Sequence, residues 1–84
     1  MEKDKKIASA LITVAKDHKD IHTLNDILGE FSSEIIARQG LSLPSKNINI
    51  ISLILESEIN TINNFAGKIG KMKGINIKIL INKS

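Results

Sequence analysis

The segment Asn47–Glu56 constrains the fold more than any other part of the chain. It reads N-I-N-I-I-S-L-I-L-E, so isoleucine or leucine occurs at both odd and even positions. Side chains alternate between the two faces of a strand, and a strand with one face in water therefore alternates between apolar and polar residues. A strand that is apolar on both faces must be covered on both sides. We therefore predict that Asn47–Glu56 is a central strand.

Three other segments are predicted to form strands. Lys5–Ala15 carries no charge in either alternation phase from Ile7 to Val14, which again indicates a central strand. Residues 75–82 alternate isoleucine with mainly polar residues, as expected of an edge strand with one wet face. Glu34–Leu41 is predicted as a short strand that turns at Gly40, followed by a loop that contains Pro44.

Two segments have the apolar spacing of amphipathic helices. The first runs from Ile21 to Phe31, with Asp20 as its predicted N-cap residue. The second begins at Ser57 or Glu58 and is closed by Met72. Its many asparagine and threonine residues are mediocre helix formers, so packing must stabilise it.

The predicted order is β-α-β-β-α-β within a single domain, residues 1–84. This order is typical of the ferredoxin-like α+β fold, a four-stranded antiparallel sheet with two helices on one face. The other face would remain open, although the central strands are apolar on both sides. A patch of that size is usually an interface. We expect a second copy to cover it, giving a homodimer or homotetramer, through the residues Ile12, Val14, Ile51, Leu53 and Leu55.

Composition excludes several classes of function. The chain has no cysteine, which rules out disulfides, cysteine-ligated zinc and iron–sulfur clusters, and thiol catalysis. No apolar run approaches 18 residues, so no membrane span is expected. Residues 1–6 lack the apolar core of a signal peptide. A small domain without disulfides suits a reducing cytoplasm, so a cytoplasmic location is expected. No cofactor is expected.

Basic residues are concentrated late in the chain, because no acid follows Glu58. These lysines either complement a helix dipole or contact an anion. Direct nucleic-acid binding is not expected. The chain lacks a helix-turn-helix motif, and its two phenylalanines lie in the predicted helices rather than on the sheet.

Few residues qualify for a binding site. Arg38 is the only arginine, and its planar guanidinium suits a carboxylate or phosphate. It forms either an ion pair with Glu34 or Asp17, or an anchor for an acidic ligand. His18 is either solvated, as is His22, or part of a metal site shared across an interface. No metal ligand set is assigned, and no nucleophile with a matching base is found, so an enzyme is not expected.

Several motifs resemble the iron-only hydrogenase system regulators, which are small ACT-like bacterial proteins. The resemblance is carried by L-N-D-I-L at 24–28, R-Q-G at 38–40, Pro44, the isoleucine-rich segment 48–55, G-K-I-G at 67–70 and G-I-N-I-K at 74–78. It implies an ACT-type, ferredoxin-like oligomer with a regulatory role near hydrogenase maturation or anaerobic metabolism.

The function expected from the sequence is therefore a regulatory, small-ligand-sensing oligomeric module. The ligand would lie where subunits meet, near the first loop and the end of the second strand, contacting Asp17, His18, Arg38 and Gly40. It would act by shifting the packing of one subunit on another. The alternatives are a structural protein–protein interaction module without a ligand, and a weak DNA-contacting partner of another chain.

Overall fold

The computed structural model describes residues 4–82, which form four strands and two helices. The strands make one antiparallel sheet in the order β2-β3-β1-β4. The ferredoxin-like arrangement is confirmed, with the first and third strands in the centre and the second and fourth at the edges. The elements are β1 (Lys6–Ala15), α1 (Ile21–Glu30), β2 (Ile35–Leu43), β3 (Ile48–Ser57), α2 (Ile59–Gly70) and β4 (Ile75–Ile81).

The core lies between the sheet and the two helices. β1 and β3 pair along their whole length, from Lys6 opposite Ser57 to Ala15 opposite Ile48. The rings of Phe31 and Phe65 meet edge to face, with centroids 5.1 Å apart. Such pairs favour contact between a ring edge and a ring face. The buried apolar side chains of β1 and β3 in this core are Ala8, Ala10, Ile12, Val14, Ile51, Leu53 and Leu55.

The five residues predicted for the subunit interface lie in this core, so that part of the prediction is corrected. They point toward the helices and are at most 7% exposed. The error concerns only the alternation phase. Both phases of β1 and β3 are apolar, so the sequence did not indicate which one faces the helices. The affected residues are Ile12, Val14, Ile51, Leu53 and Leu55.

Within residues 4–82 no helix lies over the opposite side of the sheet, which we call the open face. The register places Leu11 beside Ser52 and Lys78, and Ile54 beside Ser9 and Ala37. Its apolar side chains are therefore interspersed with the short side chains of Ser9, Ala37 and Ser52 and with the charged Lys78. The large apolar residues exposed there are Ile7 (46%), Leu11 (46%), Leu41 (47%), Ile54 (38%) and Leu80 (75%).

β2 is longer than predicted. It runs through Gly40, which pairs with Ile51, and ends at Leu43. The reversal occurs in residues 44–47, where Asn47 adopts a left-handed φ of 55° and its backbone N–H donates to the Pro44 carbonyl. Asparagine tolerates this conformation better than most residues. The predicted turn at Gly40 is therefore wrong, and β3 begins one residue later than predicted.

Both helices differ slightly from the prediction. Asp20 precedes α1, but its side chain makes no capping hydrogen bond. α2 ends at Gly70 rather than Met72. Lys68, near that end, connects the helices, because its Nζ lies 3.0 Å from the Glu30 carboxylate and 5.7 Å from the centroid of the Phe31 ring.

Neither helix in the described part of the chain is long and apolar enough to cross a membrane.

Candidate functional site

The helices do not cover β2, and this leaves a groove beside α1. Seven of the nine residues of β2 are exposed, whereas the helix side of β1 is buried. The groove has a volume of about 370 Å³ and is bounded by α1, β2 and the beginning of β3. Its apolar walls are Ile21 of α1 and Ile51 of β3. Leu41 and Ile50 also border it, although their alternation phase belongs to the open face.

The polar lining of the groove carries one charge, which is positive. It consists of the Arg38 guanidinium, the amides of Asn25 and Asn49, and the Ser42 hydroxyl. Within residues 4–82 the Arg38 side chain forms no ion pair and no hydrogen bond, so the predicted pairing with Glu34 or Asp17 is not formed. An exposed guanidinium with five unengaged N–H donors can bind a planar anion in a bidentate manner.

Gly40 keeps the floor of the groove open. A Cβ atom built at this position would come no closer than 4.0 Å to another atom outside its neighbours, the Ile50 carbonyl oxygen. Glycine is not needed here for the backbone, because only Gly74 among the described glycines has a positive φ. A larger side chain at position 40 would therefore enter free space in the groove.

His18 lies outside the groove and holds two loops together. Its Nδ1 accepts a hydrogen bond from the Asp20 backbone N–H at 3.0 Å, and its Nε2 lies 2.8 Å from the Lys73 carbonyl oxygen. Nδ1 must be unprotonated to accept, so Nε2 carries the proton and donates it to Lys73. Both nitrogens bind the protein's own backbone, and His18 is thus neither a solvated histidine nor free to bind a metal.

Gly74 follows Lys73 and allows the imidazole to approach. It has a φ of 80°, and a Cβ atom there would lie 2.9 Å from His18 Nε2. A left-handed conformation and a close contact both favour glycine at this position. The pair fixes the β1–α1 loop against the α2–β4 loop.

His22 is exposed in the first turn of α1. No group of three or more histidine or carboxylate side chains in residues 4–82 has the arrangement of a metal site.

The structure brings together two of the four residues predicted for ligand binding. Arg38 and Gly40 line the groove, whereas Asp17 is exposed in the turn after β1 and His18 has its structural role. The prediction missed Asn25, Ser42 and Asn49. Asn49 carried a usable signal, because it is a polar residue that directly precedes Ile51, Leu53 and Leu55 in their alternation phase.

The groove and the open face share the same two strands. Along β2, Gly40 and Ser42 face the groove side, whereas Leu41 between them belongs to the open face. Successive side chains of a strand project to opposite faces of the same backbone. A ligand in the groove would therefore contact the strand whose other side chains form the open face.

Comparisons with known proteins identify the family. A model of the TM1266-like family, described as "Iron-only hydrogenase system regulator, putative", matches residues 6–79. The chain is also similar to a solved structure, the uncharacterized protein TM1266 from Thermotoga maritima, with 30% sequence identity and a TM-score of 0.90 over 95% of this chain and 100% of that chain. No curated protein matches the chain. Since the family model extends from β1 into β4, the chain belongs to the TM1266-like family of iron-only hydrogenase system regulators.

Proposed function

We propose that this protein is a non-enzymatic regulatory module of the iron-only hydrogenase system. It works in the cytoplasm as a homodimer or homotetramer and senses a small ligand. The family supports the regulatory role. The apolar open face is the observation that carries the proposal. The groove, whose Arg38 has no partner among the described residues, supports the ligand-sensing part.

A second copy is the partner proposed for the open face. Five large apolar residues are 38–75% exposed there, which is costly for a chain whose own core is small. Short side chains at Ser9 and Ser52 leave hollows beside Leu11 and Leu80 into which side chains of another sheet can pack. A two-fold interface uses one surface twice and needs no other gene product.

Ligand binding would act on the assembly through β2 and β3. A ligand shifts an equilibrium only if it binds one packing state better than the other. In this chain the groove residue Gly40 and the open-face residue Leu41 are adjacent, so a small movement of β2 changes both surfaces. The groove lining contains an arginine, two amides and a hydroxyl, which suits binding and positioning rather than acid–base chemistry.

Light scattering and thermal unfolding test the proposal together. At micromolar concentration we expect a mass of two or four chains, and melting temperatures that rise with protein concentration. A compound that binds the groove should alter that dependence. A monomer at every concentration, with one melting temperature throughout, would contradict the proposed oligomer.

The exposed β2 edge favours a second candidate, a structural module that binds another protein by strand addition. β2 has nine residues, a bulge near Ile36 and a single charge at Arg38. Such an edge can pair with an extended segment of another chain. Substitution of Ser42 by proline would remove a backbone donor from this strand. If this candidate is right, the Ser42→Pro variant should no longer bind the partner protein, whereas the mass of the protein alone should not change.

A further inference from the structure

We propose that the groove beside α1 binds a small organic anion that carries one carboxylate or phosphate group on an apolar body. This proposal rests on the ligand-sensing part of the proposed function and names the chemical class of the ligand. Its position within one chain means that a single subunit supplies the whole site.

The charge of the groove selects for an anion. Arg38 is the only charged residue in the lining, and its guanidinium has no partner in residues 4–82. Asn25, Asn49 and Ser42 add amide and hydroxyl donors around it without adding an acid. A carboxylate or phosphate can therefore accept several hydrogen bonds, including a bidentate pair from the guanidinium.

The remainder of the lining selects against a bare inorganic ion. Ile21 of α1 and Ile51 of β3 contribute apolar walls, and the missing side chain of Gly40 leaves the floor free for the body of the ligand. The volume of about 370 Å³ falls within the range of small-molecule sites. Apolar walls with a few convergent polar groups are the usual composition of such sites.

A titration with three probes, followed through the amide resonances of the intact chain, tests this assignment. Hexanoate has both features, 1-hexanol has the apolar body alone, and inorganic phosphate has the charge alone. We expect hexanoate to shift the signals of Asn25, Arg38 and Asn49 in a saturable manner, with a dissociation constant on the order of millimolar for so small a molecule. Both other probes should bind at least about 10-fold more weakly.

Three variants locate the site. Arg38→Gln removes the guanidinium, and we expect hexanoate to bind at least about 10-fold more weakly. Gly40→Val fills the floor without straining the backbone and should reduce binding by a similar factor. Lys71→Gln, which removes an exposed charge after α2 and away from the groove, is the matched control and should bind as the parent does. Dispersed amide spectra of the unbound variants establish that each is folded.

Several results would overturn the proposal. Equal binding of hexanoate and 1-hexanol would show an apolar hollow without anion selectivity, and equal losses in Arg38→Gln and Lys71→Gln would show nonspecific attraction. No saturable shift by about 20 mM hexanoate would show that the groove binds no such anion. If Arg38→Gln dissociates an oligomer in the absence of any probe, the guanidinium binds a carboxylate of another copy and the assignment is wrong.

The same samples separate this proposal from the proposed function. Light scattering on each sample gives the mass independently of the titration. An oligomer that does not bind hexanoate contradicts the anion site alone, whereas a monomer that binds it contradicts the oligomer alone.

Discussion

At the scale of single residues, the roles of charged and polar side chains depend on backbone partners that are distant in sequence. His18 contacts Lys73, which lies 55 residues later. No local sequence pattern indicates that contact, so the sequence suggested that His18 is either solvated or a metal ligand. Arg38 was singled out as a possible anchor because it is the only arginine, and the structure places it in the lining of the groove.

The contact of His18 with Gly74 predicts non-additive losses of stability. Gly74→Ala should lower the free energy of unfolding by about 1 kcal/mol for the left-handed φ, and by about 1 kcal/mol more for the displaced imidazole. In a His18→Ala background only the first cost should remain. Denaturant unfolding of the two single variants and the double variant measures the difference. An equal cost of Gly74→Ala in both backgrounds would show that the imidazole does not oppose the added methyl.

Removing the Lys68 side chain should slightly lower the free energy of unfolding, through loss of its contact with Phe31 and of its ion pair with Glu30. Its side chain lies over the Phe31 ring and bonds to Glu30, with both charged side chains substantially exposed. Lys68→Ala should therefore cost up to about 1 kcal/mol, and Glu30→Ala only a few tenths, since the ring contact remains in the second variant. Added salt should reduce the cost of Glu30→Ala. If both variants lose the same free energy of unfolding, the contact of Lys68 with the Phe31 ring does not measurably stabilise the protein.

At the scale of elements, the periodicity of the sequence specifies the fold, but it does not specify which side chains of β1 and β3 face the helices. The order of strands and helices was predicted because β1 and β3 are apolar in both phases while β4 alternates. The same property left the choice of phase open, and the five predicted interface residues belong to the core. The length of β2 was missed because glycine and proline were both interpreted as breaks. Only Pro44, together with Asn47, forms the turn.

Truncation of two neighbouring residues of β3 should affect stability differently, one independently of protein concentration and the other in a concentration-dependent manner. Leu53 is buried under the helices, so Leu53→Ala should cost about 3 kcal/mol at any protein concentration. Ile54 lies on the open face. Ile54→Ala should have an effect that grows with protein concentration, because it weakens association rather than the core. Melting temperatures over a hundredfold range of concentration provide the measurement. A concentration-independent loss in Ile54→Ala would place Ile54 outside any interface.

At the scale of the whole molecule, the chain covers one side of its sheet and leaves the other apolar. β2 stays exposed while the helix sides of β1 and β3 are buried, and the space between β2 and α1 forms the groove. The groove was not predictable from the sequence, because it depends on how far the helical layer reaches across the sheet. The open face was predictable, because it follows from counting the apolar faces and the helices available to cover them; a second copy over that face remains a prediction.

A pair of charged substitutions tests the location of the interface. Leu11 and Ile59 have nearly equal exposure, 46% and 44%, but Leu11 lies on the open face and Ile59 at the start of α2. Leu11→Glu should dissociate the oligomer and still fold, because Lys78 is its cross-strand neighbour and can pair with the new carboxylate. Ile59→Glu should leave the assembly intact.

The mass of the unmodified protein at micromolar concentration, determined by light scattering beside these two variants, tests the central claim most directly. We expect two or four chains for the parent and for Ile59→Glu, and one chain for Leu11→Glu. A parent protein of one chain, or a Leu11→Glu variant that keeps the parent's mass, would contradict the proposal that a second copy covers the open face.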